Sequence, residues 1–461
     1  MKLSAADFGK EFTWGTAAAA YQTEGAYRTD GKGLSIWDVF TATKGKIARA
    51  ENGNIACDFY NHFLQDIILM HSLGIRAFRF SISWSRIFPE GVGEPNRDGV
   101  SFYNQLIDFC LEMDIEPWVT LYHWDLPQAL QQKGGWCNRE IVSWFSHYVA
   151  FCVKEFGDRV KHWMVLNEPM VFTGAGHFLG IHAPGMRSLK GFLGAAHHAA
   201  LCQAEGGRII KSLRPDCKAG TTFSCSQVDP MSDRDDDRAA ATRIDAILNR
   251  FFIEPLLGMG YPLADLKFLN GITAFFKPGD ETALAFDMDF IGIQNYTREV
   301  VRHTYLRPIV YAQVVGADKR LVPRTEMNWE VYPSGIYTML KRFAAYPGMP
   351  GLVVTENGAA FPDTVSGYAV HDAERVSYLQ QYLAQVLRAK REGVPVNGYF
   401  VWSFTDNFEW AEGFRPRFGL VHVDFKTQRR TIKDSGYWYR DFIRAANQAP
   451  VRTAVATHST Q

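Results

Sequence analysis

Eight short apolar segments recur along this chain of 461 residues, and most of them end in polar or aromatic side chains. Continuous apolar character over such short lengths predicts strands that are buried on both faces. Helical spacing fills the intervals between them, most clearly at 58–73, 139–156 and 372–391. Strands that alternate with helices in this way predict a parallel sheet. The eight segments are 12–22, 77–84, 116–123, 162–169, 218–224, 289–296, 351–358 and 398–404.

Eight strand–helix units favour closure of the sheet, so the expected fold class is α/β, a single (β/α)8 TIM barrel. Extended loops after the strands would form its pocket, and the long stretch 297–334 is expected to cover the barrel mouth. A doubly wound sheet is disfavoured, because Gly31 and Gly33 do not follow a strand as a phosphate-binding loop would. No low-complexity linker divides the chain. We expect one catalytic domain over 1–448 and a disordered tail over 449–461.

The charge balance narrows the classes of partner. Forty-nine basic residues match forty-nine acidic ones, which argues against nucleic acid or an anionic membrane and suits a small neutral substrate. The seven cysteines are scattered without a C-x-x-C pair and are expected to be reduced core thiols. No apolar run suggests a signal peptide or a membrane span, so a cytoplasmic location is expected. No metal or cofactor is implied, and a homo-oligomer remains open.

Two strand ends carry a glutamate beside an asparagine. Glu168 lies in Leu-Asn-Glu-Pro at the end of the fourth segment, and Glu356 lies in Thr-Glu-Asn-Gly at the end of the seventh. In a barrel of this kind the carboxyl ends of the strands form the active face. A single loop glutamate is more often a solvated surface residue. Two carboxylates that converge on one pocket are what glycoside hydrolysis requires, and this favours a catalytic pair.

Six motifs, in order along nearly the whole chain, resemble glycoside hydrolase family one, the β-glucosidase family. They are FTWGTAAAAYQTEG (12–25), FRFSISWSRIFP (78–89), TLYHWDLPQAL (120–130), LNEP (166–169), TENG (355–358) and WSFTDNFEWAEGFRPRFGLVHVDF (402–425). The resemblance implies a retaining β-glycosidase that releases the non-reducing terminal sugar through a covalent glycosyl-enzyme. A β-glucosidase is expected first, with β-galactosidase and β-fucosidase activities left open, and a part in cellulose and polysaccharide degradation is implied.

The resemblance also implies individual roles. Glu168 would be the general acid/base and Glu356 the nucleophile, about 5 Å apart as retention requires. Arg79 and the hydroxyl of Tyr296 would lie beside Glu356 and favour its charged form. Residues matched to sugar binding are Gln22, His123, Asn167 and Glu409 for the hydroxyls, Trp402 and Trp410 as aromatic walls, and Trp329 for the aglycone. Considered alone, His123 and Trp402 would more often be core residues, Trp329 could simply pack, and Arg79 could hold the barrel floor.

One position departs from the family pattern. Gln294 stands where the family usually has an asparagine that acts near the 2-hydroxyl of the sugar, and we expect reduced or altered recognition there. Three other interpretations fit the sequence less well. A 6-phospho-β-glycosidase would lack the Glu409–Trp410 pair, because a carboxylate at 409 repels phosphate. A non-catalytic sugar-binding barrel would have lost one glutamate, and a thioglucosidase would have glutamine at Glu168.

Two further polar groups are interpreted as structural. His197 and His198 lie on a helical stretch and are expected to be packing or surface residues. The acidic run from Asp233 to Asp237 resembles a cation site but is expected to be a solvated loop or a helix start, where acidic residues are favoured.

Overall fold

The computed structural model describes residues 3–448. Eight parallel strands close into a barrel in which every strand pairs with its neighbours in chain order. The first and last strands close the ring, with Thr13 opposite Gly398. The predicted (β/α)8 barrel is confirmed. Its strands are Thr13–Ala17, Ala77–Ser81, Glu116–Tyr122, His162–Asn167, Lys218–Ser224, Phe290–Gln294, Gly351–Asn357 and Val396–Trp402.

The first predicted segment, 12–22, is only partly a strand. The chain leaves the sheet after Ala17 and forms a helical turn at Ala20–Thr23. Alanine has the strongest intrinsic helix preference, and the amide of Ala20 is held by the Ser81 hydroxyl at 2.8 Å. This turn places Gln22 at the barrel mouth. A strand that continued beyond Ala17 would have placed Gln22 elsewhere.

A helix of eleven or more residues follows each barrel strand and covers the outside of the sheet. The three predicted helices are confirmed to within two residues at each end. The helices are Phe59–Ser72, Arg97–Glu112, Ile141–Phe156, Leu189–Leu213, Asp235–Asp245, Ser334–Ala344, Ala373–Arg391 and Asp434–Gln448. Shorter α-helical segments lie at Ala20–Thr23, Ile36–Ala42, Trp84–Ile87, Gln128–Gln132, Pro169–Thr173, Ile253–Leu256, Asp280–Ala283 and Ala317–Arg320.

The stretch 297–334 is more ordered than a loop. Arg298–His303 pairs with Gln227–Pro230 on one side and with Ala312–Val314 on the other, which makes a three-stranded sheet beside the barrel. The chain then returns across the mouth before the helix that begins at Ser334. Two small hairpins complete the strands, Thr364–Ser366 with Ala369–His371 and Val421–Asp424 with Arg429–Ile432.

Apolar and aromatic side chains fill the barrel below the mouth. Trp118, Phe290 and Phe400 pack with ring centroids 5.0–5.5 Å apart and close the floor. The seven cysteines form no disulfides, and all except the half-buried Cys137 are buried. Within residues 3–448, no helix is both long and apolar enough to cross a membrane.

His197 and His198 are packing residues and not surface residues. His197 is buried and contacts Asp280 through Nε2 at 2.8 Å, and the Nδ1 of His198 lies 2.8 Å from the Trp136 carbonyl. The acidic run from Asp233 leads into the helix Asp235–Asp245, as expected. The expected tail 449–461 lies outside the described residues, and the extent of the catalytic domain stays a prediction.

Candidate active site

A cavity of about 300 Å³ opens at the carboxyl ends of the barrel strands. Glu168 and Glu356, from the ends of the fourth and seventh strands, both line it. The other predicted residues on its wall are Gln22, His123, Tyr296, Trp329, Trp402, Glu409 and Trp410.

Glu356 is held by two direct donors. Arg79, fully buried on the second strand, forms an ion pair with Glu356 Oε1. The hydroxyl of Tyr296 donates to Oε2 at 2.6 Å. Gly358, two residues later, allows the close approach of the last strand, because a Cβ there would lie 1.8 Å from the Trp402 carbonyl oxygen. The end of the seventh strand is therefore tightly defined.

Glu168 has a different setting. Its backbone adopts a left-handed conformation with φ 46°, and Pro169 begins the helical turn that follows. This geometry turns the chain sharply at the end of the strand and directs the carboxyl into the cavity. Burial raises the pKa of Glu168 well above its usual value, and the negative charge of Glu356 raises it further. The Ser224 hydroxyl and the charge of Arg79 act in the opposite direction.

The two carboxyls are therefore unequal. Burial raises the pKa of Glu356 as well, but the charge of Arg79 and the hydrogen bond from Tyr296 counteract it. Hydrogen bonds and an opposite charge favour the ionised form, whereas a neighbouring carboxylate disfavours it. When the pair holds one proton, that proton belongs on Glu168 and the charge on Glu356.

Asn167 organises the polar layer behind the cavity. Its Oδ1 accepts hydrogen bonds from Arg79 at 2.5 Å, from Gln294 at 2.8 Å and from the Thr222 hydroxyl at 3.1 Å. Its Nδ2 must then donate, and it lies 3.0 Å from His123 Nε2. His123 consequently carries its proton on Nδ1, which is buried without a partner among the described residues and is free to donate to a ligand.

Gln22 and Glu409 form a second polar group. The Nε2 of Gln22 donates to the Phe408 carbonyl at 2.8 Å and to Glu409 Oε2 at 3.2 Å. Its Oε1 is buried and accepts no hydrogen bond from the described residues. Burial raises the pKa of Glu409 to about 8, and the charge of Glu356 contributes. Orphaned donors and acceptors on a cavity wall indicate a polar ligand such as a sugar.

Aromatic rings flank these groups. Trp410 packs between Trp124 and Trp37, with both centroid distances at 4.5 Å. Trp402 lies 6.1 Å from His123 in a stacked arrangement. Trp329 packs 5.1 Å from Tyr296, across the cavity mouth. The apolar faces of a pyranose ring pack well on such surfaces.

Three predicted residues do not line the cavity. Arg79, Asn167 and Gln294 have no exposed surface and support the residues that do. Direct contact of Asn167 and Gln294 with a sugar stays a prediction. Lining residues that sequence reasoning missed include Trp124, Val171, Ile181, Ser224, Ser226, Glu299 and Met327. Trp124 and Ser224 could have been found, because the first lies inside a motif and the second ends a barrel strand.

A buried charge network anchors the segment that carries Glu409. Asp406 accepts from Lys433 at 2.7 Å and from Arg417 at 2.8 Å, and Lys433 also contacts Asp363 at 2.8 Å. Asp363, Asp406 and His422 are the one group in residues 3–448 spaced closely enough to hold a metal ion. The Lys433 ammonium already bridges its two carboxylates, so this group is a structural ion network.

A TIM barrel whose mouth holds two unequal buried carboxyls and a wall of unpaired polar groups and tryptophans is the arrangement expected of a glycosidase. The chain belongs to glycosyl hydrolase family 1, whose sequence profile matches residues 4–448. It is 43% identical to a 1,4-beta-D-glucan glucohydrolase of Thermotoga neapolitana and to beta-glucosidase A of Thermotoga maritima, covering 95% of this chain and 98% of each relative. The solved Thermotoga maritima family 1 β-glucosidase superposes with a TM-score of 0.91 at 42% identity, over 95% of this chain and 98% of that one.

Proposed function

We propose that this protein hydrolyses terminal β-glucosides with retained configuration, with Glu356 as nucleophile and Glu168 as general acid/base. The observation that carries the proposal is the inequality of the two carboxyls. Of these two carboxyls, Glu356 is the one that has both a guanidinium ion pair, with Arg79, and a direct hydroxyl donor, Tyr296, at 2.6 Å. Glu168 has its pKa raised by burial and by the charge of Glu356.

In the first step the Glu356 carboxylate attacks the anomeric carbon while Glu168 protonates the glycosidic oxygen. The bond to the leaving group breaks, and a glycosyl ester on Glu356 forms. Arg79 and Tyr296 keep the nucleophile ionised beforehand. The raised pKa of Glu168 keeps the proton available at neutral pH.

In the second step the roles reverse. Esterification removes the negative charge of Glu356, and with it one of the causes that raise the pKa of Glu168. Glu168 can then act as a base that takes a proton from water, whose oxygen attacks the anomeric carbon and releases the sugar. Two inversions give net retention.

The glycone is expected to be held by the unpaired groups of the wall. Gln22 Oε1 and His123 Nδ1 would contact hydroxyls, and Glu409 would accept from them. These groups can serve either orientation of the 4-hydroxyl, so activity on β-galactosides and β-fucosides is proposed beside that on β-glucosides. The Thermotoga maritima relative has been solved with glucoimidazole and with galacto-hydroximolactam.

The 1,4-beta-D-glucan glucohydrolase relative supports β-1,4-glucan fragments as substrates and thus a part in cellulose degradation. A phosphorylated glycone is disfavoured, because the residues that line the cavity include several glutamates but no lysine or arginine to neutralise a phosphate. A cytoplasmic location and homo-oligomerisation stay predictions.

The test is a panel of p-nitrophenyl glycosides (β-glucoside, β-galactoside, β-fucoside, β-mannoside, 6-phospho-β-glucoside and α-glucoside), together with azide rescue of two alanine variants. Glu356→Ala should lose turnover and regain it with azide, forming the inverted α-glucosyl azide. Glu168→Ala is the matched control, since azide should there release the β-glucosyl azide from the intact glycosyl-enzyme. The same anomer from both variants, or a folded wild type without turnover of any β-glycoside, would contradict the proposal.

A further inference from the structure

Part of the cavity wall lies outside the set matched to the glycone, and we name it the acceptor wall: Val171, Ile181, Ser226, Glu299, Met327 and Trp329. Four of these side chains are apolar or aromatic, and Ser226 and Glu299 are polar. The acceptor wall therefore offers a surface for a ring to pack on, and one carboxyl beside it.

Glu299 is the second residue of the strand Arg298–His303 and pairs with Val228 of the neighbouring strand. Its carboxyl forms no hydrogen bond and no ion pair with any residue in 3–448. The cations beside it are already engaged. Arg298 binds Glu330 and Asp229, and Arg320 binds Glu330 and the Val315 carbonyl.

The pKa of Glu299 reflects this lack of partners. Burial raises the pKa of Glu299 to about 7, and the charge of Arg320 lowers it only in part. Removing a carboxyl from water without a partner is unfavourable. Glu299 is half-buried and lines the cavity, so its carboxyl can accept hydrogen bonds from a ligand that the cavity holds.

We propose that Glu299, with Ser226 and Trp329, recognises the hydroxyl groups of a sugar leaving group. This inference rests on the proposed function and names a residue that would favour a sugar over an aryl group as the leaving group. Two vicinal hydroxyls of a pyranose can donate to one carboxylate, while the indole of Trp329 packs on the apolar face of the ring. The Ser226 hydroxyl, which also lines the cavity, supplies a further group.

A nitrophenyl leaving group makes a useful contrast. It can stack on Trp329 but has no hydrogen to donate to Glu299. Loss of the carboxyl should therefore lower the activity on a disaccharide more than the activity on an aryl glucoside.

The experiment measures kcat/KM for cellobiose, p-nitrophenyl β-glucoside and 2-aminoethyl β-glucoside. The proteins are the wild type, Glu299→Gln, Glu299→Ala and the control Glu281→Ala, which changes an exposed glutamate outside the cavity. For Glu299→Ala, kcat/KM on cellobiose should fall about tenfold, the size expected for hydrogen bonds to a charged group. Glu299→Gln should fall less, because its amide oxygen still accepts. Both variants should lose less on the aryl glucoside than on cellobiose, and their circular dichroism spectra and thermal midpoints should match those of the control, which reports that they fold.

Other outcomes overturn the inference. Equal losses on cellobiose and the aryl glucoside would make Glu299 a general support of the pocket. A loss confined to the aminoethyl glucoside would make it a cation-binding residue, and no loss on any substrate would remove it from leaving-group recognition. A wild type that turns over none of the three substrates would instead overturn the proposed function, and this inference with it.

Discussion

The hydroxyl of Tyr296 offers the sharpest test of how Glu356 is kept ionised. It donates to the carboxylate at 2.6 Å, and Tyr296→Phe removes this donor while keeping the ring that packs on Trp329. A hydrogen bond to a charged group contributes about 1.5–3 kcal/mol, and about 1.4 kcal/mol corresponds to a factor of ten. We therefore expect kcat/KM on p-nitrophenyl β-glucoside to fall about ten- to hundredfold.

The pH dependence distinguishes this effect from a general loss of structure. The Tyr296 hydrogen bond lowers the pKa of Glu356, so its removal raises that pKa. A nucleophile must be ionised, and the acidic limb of the kcat/KM profile should consequently move to higher pH. The alkaline limb reports Glu168 and should move less, because Tyr296 is not among the main causes of the raised pKa of Glu168.

Tyr382→Phe is the matched control. The Tyr382 hydroxyl is buried, donates to the Tyr296 carbonyl at 3.2 Å and accepts from the Tyr332 amide at 3.1 Å, but it contacts no carboxylate. Its loss should leave the acidic limb in place. An unmoved limb in Tyr296→Phe, or the same movement in Tyr382→Phe, would refute the reasoning.

Three further variants test the surroundings. Although the family usually has asparagine at position 294, Gln294 here supports Asn167 from behind, and Gln294→Asn withdraws its amide, which lies 2.8 Å from Asn167 Oδ1. A neutral hydrogen bond contributes about 1 kcal/mol, so kcat/KM should fall about fivefold and the glucoside-to-galactoside ratio should change, whereas unchanged kinetics would contradict this. Glu330→Gln loosens the two arginines that hold the segment of Trp329, and should raise KM for the nitrophenyl glucoside but not for glucosyl fluoride, which has no aglycone ring. The pKa of Asp406 is lowered to about 2 in the folded protein, whereas it is about 4 in the unfolded chain. The ionised Asp406 therefore stabilises the fold fully above about pH 4, and this stabilisation is lost as the pH falls towards about 2. Asp406→Asn should therefore lower the thermal midpoint by several degrees at pH 7 and by little near pH 2, whereas a constant difference across pH would be evidence against this linkage.

The barrel could be predicted from the sequence because its periodicity is local. Strands buried on both faces are short and uniformly apolar, and their ends coincide with the polar clusters that form the mouth. The pair Glu168 and Glu356 could be placed in one cavity by the rule that parallel strands end at the same face. The exception at 12–22 arose because an alanine-rich segment suits a helical turn as well as a strand.

The remaining features depend on contacts between distant segments. Glu299 lies outside the six motifs. Its lack of partners depends on Arg298 and Arg320, whose guanidinium groups bind Glu330 instead. The buried position of His197 depends on Asp280, which is eighty-three residues away. The supporting role of Gln294 behind Asn167 could not be read from a one-residue departure. Sequence spacing does not encode such pairings.

The anchoring of Asp406 by Lys433 has a consequence for how the enzyme is made. The segment that carries Glu409 is fixed by a residue of the last barrel unit, and the first strand gains its closing partner only with the last. A ribosome must therefore release nearly the whole chain before the sugar pocket can exist. Nascent fragments that already contain both glutamates should be catalytically silent, and a break late in translation would cost all of the activity and not a proportion of it.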